Sequence, residues 1–468
     1  MKPRKRSRRK LAIWSALPPY LGGKRRLCPL IFREIDRLVP RRGWPERTFL
    51  DGFLGGGSVS LYAKAQGFRV VSCDIAERAM VTGRALISNS RTTITREDVI
   101  RILTPNPEPA LRVEREMCPA IFTRNVARFI DRALAQANVS RDPAKRALLQ
   151  LLAVRVALLS HPMSQVRKGT IHRVTTGEFE SITNSCLKRY VDDALRLTRV
   201  DRIGDLARQI NAGVFAGEAQ VLHRSVLDAL PEIEADVAYF DPPYPGVMSY
   251  EKEYRVIDEI LEGTARPTSP FTAKDGAEMI DGLLERARHI PVWLLSLGNA
   301  VVGIADLEAK MARLGRATRA IEIRYAHLPS IATDEKNETN REFLVVGWDP
   351  AVVGSGGYGE RVIAVGAVQE TSEIIVAFDD DDHGPGSEGP ATVALPSDPD
   401  EERRAHLGSA GGIRRPAPRA VLDGREDRPL PLADERAPDR DLQPGRLSGD
   451  DHGPILLAEA STREMSEE

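Results

Sequence analysis

The chain has 468 residues, enough for two or three domains and a sizeable core. Its 66 basic and 67 acidic residues nearly cancel, but residues 349–468 hold 12 Arg, no Lys and 26 acids, against 54 basic and 41 acidic residues in the rest. Four widely spaced cysteines, Cys28, Cys73, Cys118 and Cys186, form no Cys-x-x-Cys and have no His at zinc-ligand spacing, which argues against a metal site and an oxidised framework and for a reducing cytoplasm.

Residues 1–10 contain seven Lys or Arg. They predict a basic, disordered arm over 1–14, with phosphate contact, a nuclear address and a plain solvated terminus all open. No signal-peptide core follows. An amphipathic helix is predicted over 27–39. Thr48-Phe49-Leu50 reads as a strand that runs into Asp51-Gly52-Phe53-Leu54-Gly55-Gly56-Gly57-Ser58. An apolar helix, Val59 to Ala65, comes next, then a strand from Phe68 to Cys73 that ends in Asp74. Strand, glycine-rich turn, helix, strand and acid make half of a doubly wound nucleotide-binding sheet. Glycines let the backbone approach a ligand, although a tight turn without one needs them too. A helix N-terminus near Ser58 favours a carboxylate, and Asp74 sits where an acid takes ribose hydroxyls in such folds.

A helix is predicted over 76–89. Residues 105–210 read as mainly helical and rich in Arg, with a buried helix from Ala144 to Leu159. The longest apolar stretch, 148–159, is too short for a membrane span and carries Arg155. Ser164 to Asn184 is a polar, basic loop region with Arg167, Lys168 and Arg173. Strand-like patterns return over 214–240, and 246–262 reads as a flap. A helix over 275–289, a strand over 292–297, a helix over 304–314 and strands over 319–325 and 342–348 complete the ordered pattern. After Trp348, Pro, Gly, Ala, Asp and Arg dominate, too little apolar surface to offset ordering entropy. Two short strands within 361–378 are the exception.

The most informative residues are Asp241-Pro242-Pro243-Tyr244, after the apolar run Val237-Ala238-Tyr239-Phe240. Two prolines at the end of a strand make a rigid corner, because proline fixes its own φ and restricts the residue before it. A carboxylate and a carbonyl oxygen held side by side can grip an NH2 group on a planar ring, and Tyr244 can stack on that ring. The combination suits methyl transfer to the exocyclic amine of a nucleobase. With this corner in view, the glycine loop fits S-adenosylmethionine better than NAD. That ligand has a carboxylate and a ribose but no pyrophosphate, and Gly55-x-Gly57-x-x-Ser60 lacks the third small residue of the dinucleotide fingerprint.

These motifs, in this order, resemble the adenine-specific DNA methyltransferases of the Dam type over roughly residues 15–348. Tyr20-Leu21-Gly22-Gly23-Lys24 is similar to the segment that contacts the methionine part of the cofactor in that family. Asp51 to Ser58 resembles its cofactor loop, with Gly52 where the family usually has proline. Asp241 to Tyr244 matches its catalytic tetrapeptide. Leu295-Ser296-Leu297-Gly298-Asn299 and Arg341-Glu342-Phe343-Leu344-Val345-Val346 are looser matches. The resemblance implies an α/β, doubly wound, mostly parallel Rossmann-like sheet. The catalytic domain is expected at 15–104 and 214–348, a helical target-recognition insertion at 105–213, and an acidic, mostly disordered tail at 349–468.

The same resemblance implies the site. Asp241, Pro242, Pro243 and Tyr244 are expected to be catalytic. Tyr20, Lys24, Asp51, Phe53, Gly55, Gly57 and Asp74 are expected to bind S-adenosylmethionine, with Phe53 equally suited to the core. Arg167, Lys168 and Arg173 are expected on DNA. Double-stranded DNA is the expected partner, without metal or membrane, in the cytoplasm at the nucleoid, and with room for a restriction endonuclease partner. Two departures bear on the cofactor. Arg224 and Ser225 stand where the family often has an acid for the cofactor adenine, with Asp228 slightly late, and Ala76 stands where Asn is usual. A cytosine amine, an adenine in RNA, a non-catalytic DNA-binding protein and a dehydrogenase remain as alternatives.

Overall fold

The computed structural model describes residues 9–20, 22–160, 199–244, 253–262, 269–272, 278–298, 303–324, 341–353, 362–365, 375–378 and 392–394. All of them fall in one compact unit, Met1–Glu402.

The centre is an eight-stranded sheet. Its strands are β2 (Thr48–Asp51), β3 (Arg69–Cys73), β4 (Ala219–Leu222), β5 (Val237–Phe240), β6 (Val292–Gly298), β7 (Ala317–Arg324), β8 (Arg341–Trp348) and β9 (Val362–Val365), in the order β4-β3-β2-β5-β6-β8-β7-β9. The pairs from β4 to β6 are parallel, and β8 runs antiparallel to both β6 and β7. Side chains alternate between two cores. Phe49, Val237, Tyr239, Val292 and Leu294 enter one, while Leu50, Ala238, Phe240, Trp293 and Leu295 enter the other. This period of two explains why these strands read as continuous apolar runs: both faces are covered.

Helices cover each face. Cys28–Leu38 starts with Pro29 in its first turn and buries Ile31, Phe32 and Ile35 while Arg33 and Asp36 stay exposed. Pro143–Leu159 is capped by Asp142, which accepts from the Ala144 amide at 2.9 Å, and is apolar nearly all round because it lies inside the core. The predicted helix at 76–89 is an α-helix, Glu77–Thr82, that continues as a π-helical turn, Gly83–Ile87.

Two expected boundaries shift. The basic arm was expected to reach residue 14, but Arg9–Ala12 forms β1 and Ile13 and Trp14 are buried in the core. Strand β1 pairs antiparallel with β10 (Ile375–Phe378), which also pairs with β11 (Thr392–Ala394). Two strands expected within the tail therefore exist, and one of them extends the main sheet beside β7.

The described helices of the 105–213 insertion, Arg112–Met117, Arg124–Val139, Pro143–Leu159 and Val200–Asn211, share the first core with the sheet. Arg155 binds the Ser15 carbonyl and Asn211 Oδ1 accepts from the Ile94 amide at 2.9 Å. This portion is part of the catalytic scaffold. Residues 161–198, with Arg167, Lys168 and Arg173, lie outside the described residues.

Candidate active site

Strands β2 and β5 are neighbours, but the chain leaves them for opposite sides of the sheet order, toward β3 and toward β6. A ligand crevice opens at the carboxyl ends of strands at such a reversal. Here it is a cleft of about 470 Å³, lined by the loop after β2, the acid after β3 and the corner after β5. Such a volume suits a small cofactor.

The loop after β2 is tightly held. The Gly52 amide donates to the Tyr239 carbonyl at 2.9 Å, and the Leu54 amide to that of Cys73 at 2.9 Å. Gly55 and Gly57 adopt φ of 49° and 79°, a left-handed region closed to most residues, and Gly57 caps the helix Ser58–Ala65. A Cβ at Gly52 would lie 2.8 Å from the Phe240 ring, so this position requires glycine in this packing. Asp74 accepts from the Gly55 amide at 2.8 Å and from the Ala76 amide at 2.9 Å. It lines the cleft, and a carboxylate has lone pairs left for hydroxyls. Ala76 offers no side-chain donor, so its own amide closes the turn.

Asp51 is buried at the end of β2. It accepts from Ser60 Oγ at 2.6 Å and from the Phe53 amide at 3.3 Å. Burial nevertheless pushes its carboxyl up to about 7, aided by the nearby Asp241 and Asp74 charges. The Phe53 ring is half-buried, meets Phe271 edge-on at 5.0 Å and lines the cleft. Arg224, Ser225 and Asp228 line the same cleft. Arg224 is tied to Glu232 at 2.7 and 3.0 Å and to the Asp228 carbonyl at 2.9 Å.

The corner after β5 draws in one more residue. Lys24, expected on the cofactor, lines the cleft and also reaches Asp241 and Tyr244. Its Nζ lies 2.9 Å from each Asp241 carboxylate oxygen, 3.2 Å from Tyr244 Oη and 3.4 Å from Glu342 Oε1. It also donates to the Gly22 carbonyl at 3.2 Å. Burial alone would push this ammonium down, but the Asp241 and Glu342 carboxylates outweigh it and hold it well above its usual range. Tyr244 Oη donates to Glu342 at 2.7 and 2.8 Å, and Ser296 Oγ donates to Glu342 at 2.9 Å. The Tyr244 ring lies so close to Gly298 that a Cβ there would be 3.1 Å from it.

Sequence reasoning missed Glu342, and it missed Arg78, which lines the cleft. Glu342 is fully buried in β8. A carboxylate inside an otherwise apolar strand was the available signal, since such groups are rarely buried unless paired. Among the described residues no group of three or more His, Cys, Asp or Glu could hold a metal ion, and no helix is long and apolar enough to cross a membrane.

Residues 20–140 match the family of D12 class N6 adenine-specific DNA methyltransferases. The match begins at Tyr20 and includes the glycine loop and Asp74. The chain carries a D12 class adenine-specific DNA methyltransferase domain. A relative, the Type II methyltransferase M2.HphI of Haemophilus parahaemolyticus, is 25% identical over 335 residues, 70% of this chain and 96% of its own length. A similarity spanning that share of the chain necessarily crosses its middle, where Asp241–Tyr244 stands.

Proposed function

We propose that the cleft binds S-adenosylmethionine and that the corner Asp241–Tyr244 presents the N6 amine of an adenine, flipped out of double-stranded DNA, to it. One observation carries this reading: Asp241 borders the same cleft as the glycine loop and Asp74, so an amine held by Asp241 faces whatever the loop holds. Three features of the cleft fit that cofactor. The loop backbone is open at Gly55, where a Cβ would meet only the Phe53 carbonyl at 3.8 Å. Asp74 supplies acceptors for ribose hydroxyls. The buried Tyr20 hydroxyl, also in the lining, has no hydrogen-bond partner among the described residues. S-adenosylmethionine, when bound, supplies an electrophilic methyl group.

The chain's own residues do the rest. Asp241 and the Pro242 carbonyl accept the two N–H bonds of the amine, whose lone pair would otherwise be shared with the ring. That draws the nitrogen toward tetrahedral geometry and aims its lone pair into the cleft. Asp241 is also the acceptor for the proton that N6 loses. Lys24 orients Asp241, and it must yield one carboxylate oxygen when the amine arrives. Glu342 is the second counter-ion that makes this exchange tolerable. Tyr244, tethered through its hydroxyl, offers its ring as a stacking surface for the flipped base. Rate enhancement then comes from positioning and electrostatics, without a covalent enzyme intermediate.

By the same reading, Arg167, Lys168 and Arg173 contact DNA, and the protein works on cytoplasmic, nucleoid DNA. The relative is called a Type II methyltransferase; we propose the same setting here, with a restriction endonuclease as partner. Incubating the full chain with S-adenosylmethionine and duplex DNA, then digesting to nucleosides for mass spectrometry, tests the chemistry. N6-methyladenine is expected. Methylcytosine alone, or product only with RNA, would assign the site to another amine.

A further inference from the structure

The amino-acid half of S-adenosylmethionine carries a carboxylate, which needs a cation or strong donors inside a cleft. Three cationic side chains line this one: Lys24, Arg78 and Arg224. Lys24 is held between Asp241 and Glu342. Arg224 is locked to Glu232 by two contacts, on the segment that precedes β5. Arg78 is placed differently. It belongs to the helix Glu77–Thr82, four residues after Asp74, and it is buried in the lining of the cleft. One guanidinium nitrogen, Nη1, meets Asp258 Oδ2 at 2.5 Å. The guanidinium lies over the Tyr254 ring at 5.4 Å, and Tyr254 in turn meets the Tyr20 ring edge-on at 4.8 Å.

Tyr20 completes the arrangement. Its hydroxyl is buried without a hydrogen-bond partner among the described residues, in the field of Arg78, Asp258 and Asp74. A buried hydroxyl left unpaired weakens the fold, so a protein retains one where a ligand supplies the missing acceptor. A guanidinium has five N–H donors in a fixed fork, and a single carboxylate contact through Nη1 leaves donors for a second anion.

We propose that Arg78 and Tyr20 form the carboxylate-reading pair of the cofactor site. Arg78 supplies the counter-charge and Tyr20 a hydrogen bond to the α-carboxylate, while Asp258 holds the guanidinium in place. Asp258 lies on the helix Arg255–Glu262, so the pair links the amino-acid end of the cofactor to the segment following the catalytic corner. The proposal rests on the reading that the cleft binds S-adenosylmethionine.

The test is calorimetric binding of S-adenosylmethionine and of its decarboxylated analogue to the full chain, without DNA. The analogue keeps the sulfonium and the nucleoside and lacks only the carboxylate. Wild type should prefer the parent compound by about tenfold or more, the worth of one charge-assisted hydrogen bond. Tyr20→Phe should lose several-fold of that preference while binding the analogue as before. Its urea midpoint should be equal or higher, because the deleted hydroxyl has no partner to lose. An Arg78→Gln, Asp258→Asn double variant, which removes both buried charges together, should bind the two ligands almost equally. Preserved discrimination in both variants overturns the proposal, as does an equal loss of affinity for both ligands. Wild type binding neither ligand would instead defeat the cofactor reading itself.

Discussion

We predict that Glu342→Gln destabilises the protein by about 2 kcal/mol and slows methyl transfer by about tenfold or more. Glu342 is fully buried and accepts hydrogen bonds from Tyr244 Oη and Ser296 Oγ, with the Lys24 ammonium 3.4 Å away. A hydrogen bond to a charged group contributes about 1.5–3 kcal/mol and a neutral one about 0.5–1.5, so neutralising the acceptor costs about 1 kcal/mol per bond. Two such bonds give the figure. The heavier penalty for stranding a buried charge, about 3–5 kcal/mol, is avoided because Lys24 keeps Asp241. Glu342→Ala should cost more, roughly 4 kcal/mol, since both hydroxyls lose their acceptor. The kinetic effect follows from the same geometry. With one counter-ion gone, Lys24 leans wholly on Asp241, and the adenine amine competes for those oxygens against a more tightly held ammonium. Each 1.36 kcal/mol added to the barrier is a factor of ten. Urea unfolding and single-turnover methylation at saturating cofactor measure the two effects. A Glu342→Gln protein with the wild-type urea midpoint and rate would refute the reasoning, and equal destabilisation by Gln and Ala would deny the amide the two weakened hydrogen bonds it is expected to keep.

Asp241→Ala should abolish methyl transfer while cofactor binding persists; residual turnover near the wild-type rate would remove Asp241 from the chemistry. Tyr244→Ala should diminish the fluorescence of 2-aminopurine at the target, because stacking contributes about 1–3 kcal/mol per base, whereas Tyr244→Phe should retain it. Equal signals from the two would return Tyr244 to a structural role. Asp51 bears on pH. Its carboxyl is raised to about 7 by burial, so the folded state holds a proton that the unfolded chain has lost. Stability from this group is complete below the unfolded value and is lost as pH climbs to about 7. The wild-type unfolding free energy from urea curves should therefore fall relative to Asp51→Asn between pH 5 and 7, by at most about 1.4 kcal/mol per pH unit, and parallel pH dependences would contradict this. Finally, a chain ending at residue 402 should methylate DNA normally and bind it with nearly unchanged affinity at any salt concentration, since the removed residues hold 11 Arg against 13 acids. Loss of activity at every salt concentration would make the removed unit structural.

Most of the fold was legible because its central strands are buried on both faces, which leaves apolar runs at 49–50, 237–240, 292–295 and 343–346. The helix at 143–159 was legible for the same reason. The loop and the corner were legible as clusters of residues with unusual backbone demands, three glycines and two prolines. What escaped was long-range and polar. Nothing local in the sequence ties Lys24 to Asp241, and the resemblance pointed it toward the cofactor. Glu342 and Arg78 look like ordinary charges until the strand and helix around them are known to be buried. The insertion was overdrawn as a separate domain because helical periodicity shows that a helix has an apolar face, not which core receives it.

The polar centre of the site joins residues far apart in the chain: Lys24 meets Asp241 across 217 positions, and Tyr244 meets Glu342 across 98 more. During synthesis, at about 5–20 residues per second, roughly 15–60 seconds separate the emergence of Lys24 from that of Glu342. Until the closing strand leaves the ribosome, the corner lacks the carboxylate that tethers Tyr244 and shares Lys24. A nascent or prematurely ended chain can thus carry every residue of the cofactor loop and of the corner without the arrangement that uses them. Strand β8 is thus the element whose synthesis completes the polar centre of the site.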